Sequence, residues 1–547
     1  MTFGILEPKN GQFAPGTVKL SQQTSVEAPH DLPLFGKTNA QDRGIVLVPE
    51  PSASPNDPLN WPQWRKDLIL FIISLQSAVV GAYGPMLGPG FVEIAGDLSV
   101  SVNEISQATS YLVLACGLGL FISNPLAKCY GKRPVYLAAG LVLFAASVWG
   151  AATNSYGSFL GSRLVGGLGM GPYEVLVQCT IGDMYFVHER ATRLAFWGLF
   201  LTAGISAGPV VSGYIIEYAG YRWTFGACAI FFAVLTVAFF FLAPETAFIR
   251  ADPSPETTTS IAHEAKDHPS SDNAHGIGRV ESKSQSQQSN YSPPAQKHSY
   301  WRSLRVYSGR YSDAPLLKVV SRPFILFLYP PMLWAFLTWG TTITFTIAFG
   351  YVNGVLFTAP PYNMSTSQVG LTNISPLVQA IIAQTISGPL CDRIVVSLTR
   401  RNKGTYEPEY RLVLIAVGFV LGVAGFFGYG ATVHYKTHWT GPVITYGLVS
   451  GALAFVSTCV FGYIIDAYGD LGEEAFVAIN ARNFLSFGIL YFINGWLAED
   501  GVLEVFVILG SMFVFTSLLT VPLWMYGKRI RARIHRIDWL KAYMRDS

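Results

Sequence analysis

The feature that most constrains this chain is a series of apolar blocks, each about as long as a helix that crosses a bilayer. A helix rises about 1.5 Å per residue, so about 20 residues are needed to cross a hydrocarbon core about 30 Å thick. The blocks lie near 68–89, 105–126, 134–153, 157–181, 194–216, 223–243, 324–357, 367–390, 411–431, 441–465, 475–497 and 502–526. This pattern predicts an all-α membrane protein with twelve transmembrane helices. Only 13% of the residues are charged, whereas an ordinary soluble domain has about 25%.

Polar stretches divide the chain into five parts. We expect a disordered tail over 1–66, a six-helix half over 67–246, a central loop over 247–322, a second six-helix half over 323–526 and a basic tail over 527–547. The first tail and the central loop are rich in Ser, Gln and Pro and are too polar to form a core.

The positive charges lie in alternate connections between the blocks. They include Arg65, Lys66, Lys128, Lys132, Arg133, Arg190, Arg193, Arg393, Arg400, Arg401 and Lys403. Because short loops rich in Lys and Arg stay on the cytoplasmic side, we expect both termini and the central loop in the cytoplasm. No short apolar run follows Met1, which predicts that there is no cleaved signal peptide. We expect the plasma membrane, with the vacuolar membrane as an alternative.

Two pairs of segments indicate that the second half repeats the first. Residues Pro125–Ala127 close the second block as Pro389–Cys391 close the eighth, and Ile181–Tyr185 close the fourth as Ile464–Tyr468 close the tenth. Parallel repeats of this kind place the solute site between the halves, near the middle of the bilayer.

The connection after the second block, Asn124–Arg133, resembles the loop motif Gly-x-Leu-Ala-Asp-Arg-x-Gly-Arg-Arg of the major facilitator superfamily. Residues Gly388–Arg393 repeat part of this motif after the eighth block. The resemblance implies the major facilitator fold, in which two six-helix pseudo-repeats form one bundle. Lys128 stands at the acidic position of the motif, whereas Asp392 keeps the carboxylate in the second half.

Cations in these loops predict a cytoplasmic latch, in which they pair with carboxylates at neighbouring helix ends. The candidate residues are Lys128, Gly131, Lys132, Arg133, Asp183, Asp392, Arg393 and Asp466. Glu189 is a further candidate partner in the first half. The alternative interpretation is that the cations only set the topology of the chain.

The fourth block holds Arg163 and, eleven residues later, Glu174. At 100° per residue the two side chains share one face of a helix, about 16 Å apart along its axis. A charged residue inside a span predicts a functional site. The run from Arg163 to Gly171 also resembles the fourth-span motif that the superfamily associates with proton transfer. Glu174 and Arg163 are therefore candidates for proton coupling, with Glu174 buried against a structural partner as the alternative.

The fifth block holds Gly204, Gly208, Pro209 and Gly213. The glycines allow close helix packing, and the proline removes one helix hydrogen bond and permits a bend. Their spacing resembles the fifth-span motif Gly-x-x-x-Gly-Pro-x-x-Gly-Gly of antiporters in the superfamily, which implies a conformational role.

Four further segments resemble the fungal branch of twelve-span drug:proton antiporters. They are Asp57–Pro62, Tyr221–Trp223, Pro244–Thr246 and Arg482–Asn483. The resemblance implies proton-coupled efflux of small organic compounds by alternating access. One alternative is proton-coupled uptake of a nutrient or an organic cation such as a polyamine. Another is a sensor that resembles transporters but does not transport.

Polar and aromatic residues inside the blocks are candidates for the wall of a substrate cavity. They are Gln76, Tyr83, Tyr111, Gln178, Trp339, Thr342, Asn480 and Arg482. Their aromatic character suits an amphipathic organic compound or an organic cation, which binds to aromatic faces. Each could instead be a packing residue, and Arg482 could pair with Asp466 or Glu474 as part of the latch.

The sequence argues against several other classes of protein. It has no GxxxxGK[ST] loop to hold ATP, no HExxH zinc motif, no metal-ligand spacing among its six cysteines and no basic-aromatic surface for nucleic acid. We therefore expect no enzyme activity, no cofactor and no metal. The expected partners are a small-molecule substrate, protons and the lipid bilayer, and we expect a monomer. Asn363 begins a possible glycosylation sequence in a short outer loop.

Overall fold

The computed structural model describes residues 4–8, 14–19, 52, 54–248, 299–307, 309–312, 315–468, 471–537 and 543. Most of the predicted disordered tail and central loop lies outside these residues. The division of the chain into five parts therefore remains a prediction.

The first half is a set of long helices joined by short turns. After a 3-10 helix (Pro58–Asn60), the helices are α1 (Gln63–Tyr83), α2 (Phe91–Leu98), α3 (Val102–Tyr130), α4 (Lys132–Ala151), α5 (Tyr156–Met184), α6 (Val187–Ala219) and α7 (Tyr221–Leu242), with a second 3-10 helix at Pro85–Gly90. Helix α3 begins with a capping box, because the Ser101 hydroxyl accepts from the Glu104 backbone N–H while the Glu104 side chain accepts from the Ser101 N–H.

The second half repeats this arrangement. Two helices precede its first long one: α8 (Tyr300–Ser303) and α9 (Leu316–Leu326). Its other helices are α10 (Pro330–Leu356), α11 (Thr366–Leu371), α12 (Ile374–Arg401), α13 (Ile415–His434), α14 (Thr440–Tyr468), α15 (Gly472–Asn480), α16 (Arg482–Leu518) and α17 (Thr520–Ile534), and a 3-10 helix at Pro408–Leu414 leads into α13. One antiparallel pair of strands, β1 (Val18–Lys19) and β2 (Thr405–Tyr406), joins residues near the start of the chain to this half.

Ten helical segments of the described chain are long and apolar enough to cross a membrane. Helix α5 is not among the ten, because its glycines and its three charged residues, Arg163, Glu174 and Asp183, lower its hydropathy. Its 29 residues would still extend about 43 Å, which exceeds the thickness of a hydrocarbon core. The last of the ten segments, Glu474–Ile534, has 61 residues and therefore has the length of two passes. The described helices are thus compatible with the twelve passes expected from the sequence, of which length and hydropathy identify ten helical segments.

Helix α16 reverses direction at Gly501, where the backbone leaves the helical region (φ 81°, ψ 167°). The contacts in order along α10 are Trp334 with Thr520, Thr338 with Thr516, Gly340 with Arg482 and Thr344 with Ser486. Residues before Gly501 therefore run parallel to α10, and residues after it run antiparallel. The eleventh and twelfth predicted blocks are two arms joined at this glycine.

The two halves meet at both ends of the bundle. We call the end at which α1 begins and α17 ends the terminal face, and the other end the opposite face. At the opposite face the backbones of Gly88 and Gly354 lie so close that a Cβ on Gly354 would collide with the Gly88 carbonyl oxygen. At the terminal face Phe121 and Phe324 stack with their ring centroids 4.8 Å apart. The space between these contacts contains the candidate site.

Candidate functional site

A cavity of about 310 Å³ lies between the halves. Helices α1, α3, α5 and α6 line it on one side, and α10, α12, α14, α15 and α16 line it on the other. Most of its wall is apolar or aromatic, with Met170, Trp339 and Phe461 among the larger side chains. The charged residues of its wall are Glu174, Asp392, Arg411 and Arg482.

Glu174 and Arg482 form an ion pair that joins the two halves inside this cavity. The Glu174 Oε2 atom lies 3.6 Å from Arg482 Nη2, and Asn483 donates a hydrogen bond of 3.1 Å to the same oxygen. The guanidinium of Arg482 also lies over the Trp339 ring, 5.0 Å from its centroid. The carboxylate of the first half is therefore held by two side chains of the second. Asp466 and Glu474, which were expected to pair with Arg482 in the latch, do not contact it. Both lie nearer the terminal face, where other cations bind them.

Arg163 lies inside the first half and does not line the cavity. Its side chain is fully buried, and its guanidinium is surrounded by the rings of Tyr83, Phe159 and Phe225 at 5.2, 5.6 and 4.7 Å. One of its nitrogens donates to the Tyr83 carbonyl oxygen at 3.2 Å. Cation–π contact with three rings offsets part of the free energy of burying this charge. The structure gives no contact between Arg163 and Glu174, so a role of Arg163 in proton coupling remains a prediction.

Four of the predicted cavity residues line the wall: Gln178, Trp339, Asn480 and Arg482. The other four lie elsewhere, which corrects the prediction for them. Gln76 donates to Thr236 within the first half, and Tyr83 belongs to the aromatic cage around Arg163. Tyr111 packs on Phe487 and Tyr491 of the other half, and Thr342 donates to the Thr338 carbonyl on its own helix. A polar side chain inside a span avoids lipid equally well in the interior of one half and in the cavity, so the sequence could not separate the two.

The turn between α3 and α4 binds a carboxylate that the sequence did not assign to it. Glu245 accepts the backbone N–H groups of Lys132 and Arg133, each at 3.0 Å. Gly131 has φ +94°, and a Cβ there would collide with Glu245. The predicted pair of Lys132 with Asp183 is present at 2.6 Å. The signal for Glu245 in the sequence is the segment Pro244–Thr246, which carries only the resemblance to the fungal branch.

Glu189, the other predicted partner of these cations, instead accepts a hydrogen bond from Gln63. In the second half Arg393 is exposed, whereas Asp392 and Asp466 both approach Arg411. The Asp392 carboxylate lies 4.0 Å from Arg411, and Asp466 accepts from both Arg411 and Tyr406. Burial raises the pKa of Tyr406, and the Asp466 carboxylate raises it further, so the phenol stays a donor.

Lys128 connects the halves at the terminal face. Its Nζ lies 2.9 Å from Glu474 Oε1, and Arg322 lies 3.4 Å from the same oxygen. Lys128 belongs to the first half and Glu474 to the second, whereas Arg322 lies on α9, which leads into the second half. The residue that replaces the motif's carboxylate therefore bonds across the interface. Glu474, expected as a possible latch partner of Arg482, instead pairs with Lys128 and Arg322, and Arg322 was not among the predicted latch residues.

The comparisons with known proteins agree on one family. The family model described as the Major Facilitator Superfamily matches residues 69–491, more than half of the chain. This chain belongs to the Major Facilitator Superfamily. An uncharacterized MFS-type transporter of Schizosaccharomyces pombe is 25% identical to it over 94% of this chain and 92% of its own length. Efflux pump radE of Floropilus chiversii is 25% identical over 91% of this chain and 86% of its own length.

A solved structure shows the same fold. The MFS proton:xylose symporter XylE, bound to 6-bromo-6-deoxy-D-glucose, covers 86% of this chain and 100% of its own with a TM-score of 0.57 and 14% identity. The predicted all-α major facilitator fold is therefore confirmed. Members of the superfamily are transporters rather than enzymes, so this chain is a multi-pass membrane transporter of small molecules.

The fifth-span motif of this superfamily member packs α6 against both halves. A Cβ on Gly208 would lie 2.8 Å from the Ala82 Cα on α1, which shows how close the two helices are. A Cβ on Gly204 would collide with the Ala78 backbone in the same way. One turn after Pro209, Gly213 faces Gly370 on α11. A Cβ on Gly213 would lie 3.1 Å from the Gly370 Cα. The motif thus lies on α6, a helix of the first half that also contacts the second half. This position suits the predicted conformational role.

Proposed function

We propose that this chain is a proton-coupled transporter that exports small organic compounds by alternating access. We further infer that the terminal face lies in the cytoplasm, which the placement of Lys and Arg in the short loops supports. The observation that carries the proposal is the ion pair between Glu174 of the first half and Arg482 of the second, in the wall of the cavity between them.

This ion pair offers a direct way to couple a proton to the movement of the halves. When Glu174 is protonated, its attraction to Arg482 falls, and a link between the two halves becomes weaker. When the proton leaves, the link is restored. Since the two states of the proton favour different separations of the halves, the protonation state can bias which conformation is populated.

The wall of the cavity supports an amphipathic organic solute. The aromatic and aliphatic side chains bind apolar surface, and a few convergent polar groups orient the solute. A cationic solute would compete with Arg482 for Glu174 and for the face of Trp339, the two groups that Arg482 contacts. Solute and proton would thus exclude each other at Glu174, as antiport requires. The efflux pump among the relatives supports the outward direction of transport.

A second candidate, uptake of an organic cation such as a polyamine, is favoured by one further observation. Asp392 also lines the cavity, at its terminal end, and 75% of its side chain is exposed. Two carboxylates along one cavity could bind the two ends of an extended cation. Export and uptake differ in the direction of net flux relative to the proton gradient.

The test uses the purified full-length chain in sealed proteoliposomes with labelled amphipathic drugs and polyamines. We expect accumulation of solute driven by an acidic lumen, loss of this accumulation with a protonophore, and loss in Glu174→Gln. The matched control is Glu504→Gln, which changes an exposed glutamate and should retain full activity. Proton-driven flux that survives in Glu174→Gln would remove Glu174 as the coupling group. Folded protein that moves none of the solutes would favour a sensor.

A further inference from the structure

The described part of the N-terminal tail is bound to the second half, although the chain enters the membrane in the first. Strand β1 pairs with β2, so that Val18 lies opposite Tyr406 and Lys19 opposite Thr405. Nearer the start of the chain, the Leu6 N–H donates to the Met525 carbonyl oxygen at 3.0 Å. We call residues 4–8 and 14–19 together the N-terminal segment. Strand addition of this kind is a common mode of peptide recognition.

The N-terminal segment binds to a buried cluster of charged residues of the second half. Arg531 pairs with Glu409 at 2.7 Å and with Glu407 at 3.2 Å. The segment completes this cluster, because the Thr17 hydroxyl donates to Glu407 at 2.7 Å and the Pro15 carbonyl accepts from Arg531. A buried charged group that loses a hydrogen-bond partner is destabilised. The cluster therefore favours the bound segment.

Gly16 fits the segment closely against the end of α14. Its φ is +83°, and a Cβ there would lie 2.7 Å from the Asp466 backbone oxygen. A residue with a side chain would be both strained in this backbone region and too large for the gap. The side chain of Ala14, two residues earlier, is buried as well.

A line of contacts leads from the segment to the cavity. Strand β1 pairs with Tyr406, the Tyr406 hydroxyl donates to Asp466, and Asp466 accepts from Arg411. Arg411 lines the cavity, and its Nη1 lies 3.8 Å from the Sγ of Cys391, which lines it too. The segment thus contacts the residues that hold Arg411 in place.

The chain between the N-terminal segment and the first half is long enough to leave the two halves free to separate. The 32 residues from 20 to 51 could reach about 110 Å if fully extended. The halves can therefore move apart at the terminal face while the segment stays bound. Any effect of the segment on the cavity must pass through its contacts with the second half.

We propose that the N-terminal segment is a built-in peptide ligand of the second half, and that its binding fixes Arg411 at the terminal end of the cavity. The inference does not depend on the proposed direction of transport or on proton coupling. The test measures how fast two thiols react with a maleimide: an introduced Ala14→Cys and the native Cys391.

The test measures maleimide labelling of the full-length chain, with modified peptides identified by mass spectrometry to separate the six native cysteines. An Ala14→Cys thiol should be protected in the otherwise unchanged chain. Adding Gly16→Val should raise its labelling at least about tenfold, because a β-branched residue in the left-handed region is strongly disfavoured. Cys391 should become more reactive in the same variant. Thr17→Val, which removes one hydrogen bond without backbone strain, should give a smaller rise at both thiols.

The matched control is Gly220→Val. Gly220 has φ +84° but no neighbour within 4 Å, and it lies at the opposite face, so both thiols should keep their original reactivity. Rapid labelling of Ala14→Cys in the unchanged chain would overturn the binding of the segment. A Cys391 reactivity that stays constant while Ala14→Cys becomes exposed would overturn the link to the cavity.

Discussion

Lys128 Nζ lies 2.9 Å from Glu474 Oε1, so a cation of the first half is bonded to a carboxylate of the second at the terminal face. The sequence placed this lysine at a position where the family motif has a carboxylate. The exchange converts a group that would repel Glu474 into one that attracts it. It follows that closure of the terminal face in this chain depends on a contact between the halves.

Replacement of Lys128 by Gln should favour opening of the terminal face. The pair is partly exposed, and Arg322 still neutralises Glu474 in part, so we expect a loss of about 1 kcal/mol, or roughly a fivefold shift in the population of the closed form. The shift can be measured as faster maleimide labelling of Cys116, whose side chain lies in the cavity wall. Lys436→Gln, which changes an exposed lysine at the opposite face, is the control. Equal labelling in the two variants would show that the pair does not hold the face closed.

Replacement of Glu245 by Gln should destabilise the first half. The carboxylate accepts two backbone N–H groups at the start of α4, where the helix dipole also favours a negative charge. An amide keeps one acceptor oxygen and loses the charge, so the expected decrease in the free energy of unfolding is about 1 to 2 kcal/mol. Thermal unfolding in detergent measures this decrease. Glu499→Gln, at an exposed site, should leave the unfolding temperature unchanged, and an unchanged temperature in Glu245→Gln would refute the prediction.

Replacement of Gly354 by Val should prevent the halves from closing at the opposite face. A Cβ there would collide with the Gly88 carbonyl oxygen, so the variant should favour conformations in which this face is open. We expect loss of solute transport with little change in thermal stability, because the new side chain affects only the contact between the halves. Gly350→Val, one turn earlier on α10, is a close control, since a Cβ at Gly350 meets no atom within 4 Å. Normal transport in Gly354→Val would contradict the tight contact.

Replacement of Arg163 by Met should show whether this residue only stabilises the fold or also takes part in proton coupling. The guanidinium is bound by aromatic rings and one carbonyl oxygen, and an apolar side chain of similar length can occupy such a cage at little loss of stability. We expect the unfolding temperature to change by no more than a few degrees. If Arg163 takes part in proton coupling, proton-driven flux should fall while exchange of solute without a gradient persists. Full proton-driven flux would restrict Arg163 to packing.

The sequence predicted the elements of this fold well because lipid imposes a strong and local rule. Every span must be apolar over about 20 residues, and the twelve blocks follow from that requirement alone. The join at Gly501 illustrates its limit, because block boundaries do not reveal that the eleventh and twelfth spans form one helix with a single non-helical residue.

The candidate site was harder to predict, because its contacts depend on which helix faces meet. Glu174 was recognised as a charged residue inside a span, but its partners, Arg482 and Asn483, lie about 300 positions further along the chain. The same reason explains why Arg411 was not predicted as a site residue, and why Glu474 was expected to pair with Arg482 rather than with Lys128. Each is adjacent in space to groups from distant helices, and a single sequence contains no signal for that proximity.

The attachment of the N-terminal segment to the second half has a practical consequence for experiments that follow the motion of this transporter. Fluorophores fused at the two chain ends would both be carried by the second half, since the segment and α17 contact each other. Their separation would stay constant while the halves rock. The efficiency of energy transfer between them would therefore not change during transport. A pair that reports the motion needs one probe on the first half, within the stretch from α1 to α7.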